Sequence, residues 1–174
     1  VKTLADARRD RLALSEARQL VKDDPSPAHL ETLSYVWMRQ GKNGDRLLAD
    51  MRALNAAPEN NALLRETIDA LTENRVSTPA LWLSQSAAMS PAERRRLERN
   101  AAAEKVRLAD VPGRTEKERL RLAQNALDRY HTLLSRWQNE PQAAEDVVLA
   151  RIDRLGALYA QGNYRQVISE YEAL

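Results

Sequence analysis

Cysteine and phenylalanine are absent from the 174 residues of this chain, and glycine occurs only five times. Without cysteine the chain forms no disulfide bond and offers no thiolate to a metal ion, so its composition does not indicate a redox compartment. Its two histidines, His29 and His131, lie far apart, and it has no glycine-rich phosphate loop or nucleophile motif. These absences disfavour catalysis within this segment, and we predict no cofactor and no bound metal ion.

Long hydrophobic runs are absent as well. No apolar stretch approaches the ~20 residues that a membrane-spanning helix needs, and the sequence has no signal-peptide pattern. The chain begins at Val1, in what reads as the end of one helix, and stops at Leu174 within another. We therefore expect a piece of a longer protein, with apolar rather than capped ends.

Helix-forming residues dominate what is present. Alanine, leucine, arginine and glutamate are abundant, 30% of the residues are charged, and no segment alternates as a half-buried strand does. Pro25, Pro58 and Pro91 follow one another at intervals of 33 residues. A period in the low thirties is typical of tetratricopeptide-type repeats, in which each unit is a pair of helices.

Five apolar or small triplets with one internal spacing support this period. They are Ala13, Ala17 and Leu20; Leu47, Met51 and Leu54; Ala80, Ser84 and Ala87; Ala126, Tyr130 and Leu133; and Val167, Tyr171 and Leu174. Their first members step by 34, 33, 46 and 41 positions, so the repeat lengthens in the second half. We predict an all-α, tetratricopeptide-like solenoid of about five helix pairs with an enlarged fourth unit. We expect one superhelical region over residues 1–174, with regular repeats in 1–90 and extended repeats in 91–174.

Local signals place the starts of the helices. Ser26-Pro27 and Thr78-Pro79 each pair an N-cap residue with a proline at the first helical position, and Ser90–Glu93 and Thr115–Glu118 have capping-box spacing. The predicted helices cover about 1–8, 10–23, 27–40, 44–56, 60–73, 78–89, 91–110, 115–138, 141–160 and 164–174. The segment 110–114 contains a Pro-Gly pair and is predicted to be a turn.

An arginine cluster is the most prominent charge feature. Its members are Arg94, Arg95, Arg96 and Arg99. Clustered arginines can neutralise phosphates, but glutamates are interleaved at helical spacing and the net charge is only +2. We therefore predict no nucleic-acid binding, and favour a structural or protein-docking role for the arginines.

Two further stripes are candidate ligand sites. Helical spacing places Glu31, Tyr35 and Arg39 on one face of the 27–40 helix, where they are candidates for a concave groove. Glu145, Asp146 and Asp153 give the 141–160 helix an acidic stretch. For the first stripe an ordinary solvated helix face is the favoured interpretation, and the same alternative applies to the acidic stretch.

Three tryptophans are candidates either for sugar stacking or for core packing. They are Trp37, Trp82 and Trp137. Trp37 occupies the aromatic position of the repeat consensus, and the other two lie in apolar stripes. Core packing is therefore favoured for all three.

A run of residues in the second half resembles a known family. The run comprises 114–119, Ala123, 126–127, Tyr130, Trp137, 155–158 and 164–171. In this order they resemble the periplasmic tetratricopeptide region of the outer-membrane exporters of poly-β-1,6-N-acetyl-D-glucosamine. The resemblance covers about residues 91–174, whereas 1–90 resemble the preceding repeats only in a general way.

The resemblance implies a non-enzymatic scaffold in the periplasm, within a parent protein of the outer membrane. Such a scaffold docks the periplasmic polysaccharide de-N-acetylase and guides the partly deacetylated, cationic polymer to the outer-membrane barrel, for use in the biofilm matrix. A cationic polymer prefers acidic surface, so the resemblance makes Glu145, Asp146 and Asp153 candidate polymer-binding residues. The cluster of Arg94, Arg95, Arg96 and Arg99 is then a candidate docking surface for the protein partner, since arginine is enriched at interfaces.

Two other classes remain open at this level. A generic tetratricopeptide scaffold would hold an extended peptide in its concave groove, in the cytosol or the periplasm. The repeat arm of a glycosyltransferase would be followed by a doubly wound catalytic domain.

Overall fold

The abundance of strong helix formers is expressed directly in the structure. The computed structural model describes residues 10–41, 44–56 and 60–174, and within these ranges it contains nine α-helices and no strand. They are α1 (Asp10–Asp23), α2 (Pro27–Arg39), α3 (Gly44–Ala53), α4 (Asn61–Glu73), α5 (Ser77–Leu83), α6 (Pro91–Ala109), α7 (Glu116–Trp137), α8 (Ala144–Ala160) and α9 (Tyr164–Glu172). A 3₁₀ turn, Pro141–Ala143, leads into α8. The prediction of an all-α chain is confirmed for these residues.

Most predicted boundaries hold to within a few residues, and α5 is the exception. It ends at Leu83 rather than near 89, and the Ser84 hydroxyl donates a hydrogen bond to the carbonyl of Leu81. Serine that bonds to nearby backbone competes with helix continuation. The predicted N-cap at Thr78 was wrong, because the helix begins at Ser77 and its N-cap is Val76. The predicted helix 1–8 and Pro58 lie outside the described residues.

The start of α7 follows its sequence signal closely. The Thr115 hydroxyl accepts a hydrogen bond from the Glu118 backbone N–H, and the Glu118 carboxylate accepts one from the Thr115 N–H, so the predicted capping box is confirmed. Before it, Gly113 adopts a φ of +84°, a left-handed conformation that glycine takes without strain. At α2, Pro27 is at the first helical position as predicted, but Ser26 makes no side-chain capping bond.

The chain divides into two compact units, residues 1–90 and 91–174. In the first unit, α1 packs against α2, α2 against α4, α3 against α5, and α4 against α5. Contacts between alternate helices are expected where helix pairs stack. The large buried apolar side chains of this unit are Val21, Leu30, Leu33, Val36, Trp37, Leu47, Leu48, Met51, Leu64, Ile68, Leu71 and Leu83.

The second unit is built on two long helices. α6 and α7 pack along each other, α8 contacts both, and α9 packs on α8. The core cluster consists of Ala102, Ala126, Tyr130, Leu133, Trp137, Ala143, Ala150 and Ala157. The fourth predicted triplet therefore lies in the core. Tyr171 and Leu174 of the fifth triplet, in contrast, are largely exposed.

Trp37 and Trp137 are buried, as core packing predicts. Trp82 is only partly buried, and its Cβ lies against the backbone of Gly44. The tight contact at Gly44 joins α3 to α5.

Candidate functional site

Two of the predicted docking arginines and two of the predicted polymer-binding acids contact each other across the α6–α8 interface. The Arg95 Nε donates a 2.6 Å hydrogen bond to the carboxylate of Asp146. Its Nη2 donates to the Gln142 carbonyl at 3.0 Å, and Nη1 lies 3.4 Å from the Glu140 carboxylate. Only 6% of Arg95 is exposed. This buried guanidinium therefore connects α6 to the 3₁₀ turn and to α8 through hydrogen bonds.

Arg99 extends the same contact by one helical turn. Its Nε lies 3.3 Å from the carboxylate of Asp153, and its Nη1 is 4.0 Å from that of Asp146. The spacing explains the match, because Arg95 and Arg99 are four residues apart on one face of α6, and the two aspartates are seven apart on α8. Burial raises the pKa of Asp153, while Arg99 and Arg107 oppose this rise.

Tyr130 of α7 is fully buried in the same unit. Its pKa is raised, first by burial and then by the nearby charge of Asp153. Among the described residues no hydrogen-bond partner reaches its hydroxyl, nor the Nη1 of Arg99. Part of this polar cluster is therefore unsatisfied by protein groups alone.

The remaining predicted residues are placed differently. Arg94 and Arg96 are exposed on α6, and Glu145 is exposed at the start of α8. In the groove stripe, Glu31 is only 7% exposed, Tyr35 is partly buried and Arg39 is exposed. The structure therefore does not bring the three stripe residues to one solvent-facing surface. Polymer or partner binding by any of these residues stays a prediction.

The first unit contains a second polar network, which was not predicted from the sequence. The Asp50 carboxylate of α3 accepts hydrogen bonds from the Trp37 indole N–H and from the Arg18 Nε, each at 2.9 Å. The Arg18 guanidinium also lies over the Trp37 ring, 5.7 Å from its centroid. A buried tryptophan usually needs a hydrogen-bond acceptor for its indole N–H. That requirement was the one feature of the sequence that could have predicted a partner such as Asp50.

Large apolar side chains are exposed along the last two helices. Val148, Ile152 and Tyr159 lie on α8, and Tyr164, Ile168 and Tyr171 follow at helical spacing on α9. Singly exposed apolar residues are ordinary, whereas a row of them along neighbouring helices is typical of a contact surface.

The described part of the chain contains neither a metal-binding cluster nor a membrane-spanning helix. Residues 10–41, 44–56 and 60–174 contain no group of three histidine, aspartate or glutamate side chains placed to hold a metal ion. No helix in these ranges is long and apolar enough to cross a membrane.

Comparison with known proteins gives one consistent result. The chain is 31% identical, over 172 residues and 99% of its length, to a protein of Escherichia coli K12 described as "Poly-beta-1,6-N-acetyl-D-glucosamine export protein". It matches the protein of the same description from Escherichia coli O157:H7 equally well. The chain spans 20% of the length of each relative. No protein-family model matches it. The predicted resemblance is confirmed, and it extends beyond residues 91–174 to nearly the whole chain.

Proposed function

We propose that this chain is a tetratricopeptide-like scaffold within an exporter of poly-β-1,6-N-acetyl-D-glucosamine. The observation that carries the proposal is the 31% identity to two such export proteins along 99% of the chain. Because the likeness runs along the entire segment, the proposal does not depend on one short motif. A periplasmic location in an outer-membrane parent protein is part of the same proposal.

The helix packing supports a scaffold. α2 contacts α4, and α3 contacts α5, as in arrays where each helix pair is covered by the next. Such arrays present extended surfaces to partners. We therefore propose a holding role without catalysis.

We propose that this scaffold holds two partners, the exported polymer and the periplasmic de-N-acetylase. Removal of acetyl groups leaves amines that are protonated at neutral pH, so the polymer is drawn to acidic surface. From residue 139 to the end the chain carries six acidic and three basic residues. Because Asp146 and Asp153 are already engaged by arginines, Glu145 is the predicted acid that is most open to a ligand.

For the protein partner, Arg94 and Arg96 are the exposed members of the predicted docking cluster. Their neighbour Arg95 is committed to Asp146 inside the unit. The exposed apolar row on α9 adds a surface of the kind that proteins cover on association.

The test measures both partners with one protein sample. The 174-residue chain is immobilised, and binding of the purified de-N-acetylase and of partly deacetylated β-1,6-glucosamine oligosaccharides is measured separately. We expect both to bind, and Arg94→Ala with Arg96→Ala to weaken only the enzyme. Arg121→Ala on α7 is the matched control, an exposed arginine outside the cluster. If neither partner binds, the proposed function is wrong, and a peptide-binding repeat scaffold becomes the better interpretation.

A further inference from the structure

A cleft of about 390 Å³ lies in the second unit, where the end of α8 and the turn into α9 face the beginning of α7. Two tyrosines, Tyr159 and Tyr164, form part of its lining together with the acidic residues Asp110 and Glu116. None of the candidate binding residues predicted from the sequence lines it. The cleft is thus a separate feature from the Arg95–Asp146 network.

The two tyrosine rings form an exposed corner. Their centroids are 5.2 Å apart and the ring planes meet at 66°, an edge-to-face arrangement. Tyr159 is 64% exposed and Tyr164 is 56% exposed, so the pair is not a core contact. Exposed aromatic rings offer a flat apolar surface with a polar hydroxyl at the edge, and their faces attract cations. A sugar ring that carries an ammonium group presents both chemistries.

The charged groups at the cleft favour a cation. Asp110 and Glu116 place two carboxylates on its lining, against one guanidinium, from Arg119. Small-molecule sites commonly combine a flat apolar surface with a few convergent polar groups of this kind. The side chain of Gln161 is held in place because its Nε2 donates a 2.7 Å hydrogen bond to Gln124 of α7.

Gly156 supplies an independent observation. It lies inside α8, where glycine is a poor helix former, and it lines the cleft. A Cβ built on Gly156 would meet only Val106 Cγ1, at 3.9 Å, an ordinary contact distance. Packing therefore does not require glycine at this position. Gly156 therefore contributes only backbone atoms to the wall of the cleft.

We propose that this cleft binds a 2-amino-2-deoxyhexose unit of a β-1,6-linked oligosaccharide, with the free amine preferred over the acetamide. The sugar ring lies against Tyr159 or Tyr164, and the ammonium group faces Asp110 and Glu116. This assignment rests on the proposed function, because it names the part of the scaffold that contacts the polymer. It commits to one ligand class, an amino sugar with a protonated amine.

The test is an NMR titration of the isotope-labelled 174-residue chain with β-1,6-linked glucosamine pentasaccharide, in fully deacetylated and fully acetylated forms. We expect saturable shifts of the backbone amides of Gly156, Gly162 and Tyr164 with the deacetylated form, and weaker binding of the acetylated form. Tyr159→Ala or Tyr164→Ala is expected to weaken binding roughly five- to tenfold, the size of one aromatic contact.

Two variants separate loss of the site from loss of the fold. Gly156→Leu adds a bulky side chain at a residue that lines the cleft and is expected to abolish binding while the chain stays helical by circular dichroism. Tyr171→Ala removes a more exposed tyrosine of α9 that does not line the cleft, and it is expected to bind as the original chain does.

The outcomes distinguish failure of the proposed cleft site from failure of the proposed function. If the unmodified chain binds neither oligosaccharide, the polymer-binding part of the proposed function is wrong, and this site with it. If the chain binds but the Tyr159, Tyr164 and Gly156 variants bind equally well, the cleft is not the site, although the proposed function stands. Equal affinity for the acetylated form would overturn the preference for the amine.

Discussion

Arg95 holds three groups that belong to different segments of the second unit. Its guanidinium reaches the carboxylates of Asp146 and Glu140 and the carbonyl of Gln142, and it is almost fully buried. A buried ion pair adds little net stability compared with apolar residues of the same shape, but loss of one partner leaves the other charge uncompensated. Removal of the Arg95 side chain is therefore expected to destabilise the fold, whether or not this residue also contacts a partner.

We predict that Arg95→Ala lowers the free energy of unfolding by about 3 kcal/mol, because it leaves the Asp146 carboxylate without its closest partner. Arg96→Ala is the control, since Arg96 is exposed on the same helix, and it should change stability by less than about 0.5 kcal/mol. Urea denaturation followed by circular dichroism measures both. Equal effects of the two substitutions would contradict the structural role of Arg95.

Asp153 makes the stability of this unit depend on pH. Burial raises its pKa above the ordinary value of 3.8, despite the opposing charges of Arg99 and Arg107. A raised carboxyl pKa means that the folded state binds the proton more tightly than the unfolded state. This contribution to stability is full below the unfolded pKa and is lost as the pH rises through the folded pKa.

We predict that Asp153→Asn gains stability relative to the original chain as the pH rises through the folded pKa of Asp153, since asparagine does not ionise. Urea unfolding at a series of pH values from about 4 to about 7 compares the two proteins. Glu145→Gln, at an exposed acid of the same helix, is the control for the removal of one carboxylate from α8. If the difference in the free energy of unfolding between Asp153→Asn and the original chain stayed constant over this pH range, the pKa of Asp153 would not be raised.

At the scale of elements, two helical glycines test how closely helices approach. At Gly44, the first residue of α3, an added Cβ would lie 2.7 Å from the Cβ of Trp82 on α5. At Gly156 within α8 the nearest atom would be 3.9 Å away. We predict that Gly44→Ala destabilises the chain by about 1–3 kcal/mol. Gly156→Ala should stabilise it by about 0.5–1 kcal/mol.

The two glycine substitutions are chemically identical, so the informative result is whether each one lowers or raises stability. Trp82→Ala should not restore the Gly44→Ala protein, since the closest clash is with a Cβ that alanine retains. Thermal unfolding of the single and double variants measures this. Unchanged or raised stability of Gly44→Ala, or full rescue by Trp82→Ala, would contradict the close α3–α5 contact, and destabilisation by Gly156→Ala would contradict the open surroundings of Gly156.

The capping box of α7 yields another prediction at this scale. The pKa of Glu118 is lowered, first by the Thr115 backbone N–H and then by the Thr115 hydroxyl. Its contribution to stability is therefore present above the ordinary pKa of 4.5 and is lost as the pH falls through the folded pKa. We predict that Thr115→Ala costs about 1 kcal/mol and moves the pKa of Glu118 back toward 4.5, as measured by NMR titration.

Thr132→Ala, in the middle of α7, is the matched control. The Thr132 hydroxyl only donates to the carbonyl of Asp128, four residues earlier, and alanine is the better helix former. It should leave stability unchanged or slightly raised, and should not move the Glu118 pKa. A cost as large as that of Thr115→Ala would mean that capping is not the cause.

Helices and caps were predictable from sequence where the signal is local, and the site was not. The Thr115–Glu118 box needs only residues three apart, and it was found. The Thr78 cap was wrong because the helix begins one residue earlier, at Ser77, and Val76 is its N-cap. Arg95 and Asp146 are 51 positions apart, so only the register of α6 against α8 shows that they pair. The same holds for the cleft, whose lining comes from three separate stretches of the chain, at residue 110, within 116–120 and within 156–164.

At the scale of the whole molecule, each compact unit has its own buried residues. The second unit contains an uninterrupted core from α6 to α8, centred on Tyr130 and Trp137. All contacts of Arg95 described above also lie within residues 91–174. A segment of this size can fold as an independent domain, although with a modest margin of stability.

We therefore predict that residues 91–174, produced alone, are helical and unfold in a single cooperative transition. Arg95→Ala should shift that transition by the same free energy in the fragment as in the full chain, because the fragment retains every partner of Arg95. A fragment without helical structure, or with a smaller response to Arg95→Ala, would show that the second unit depends on the first for its fold.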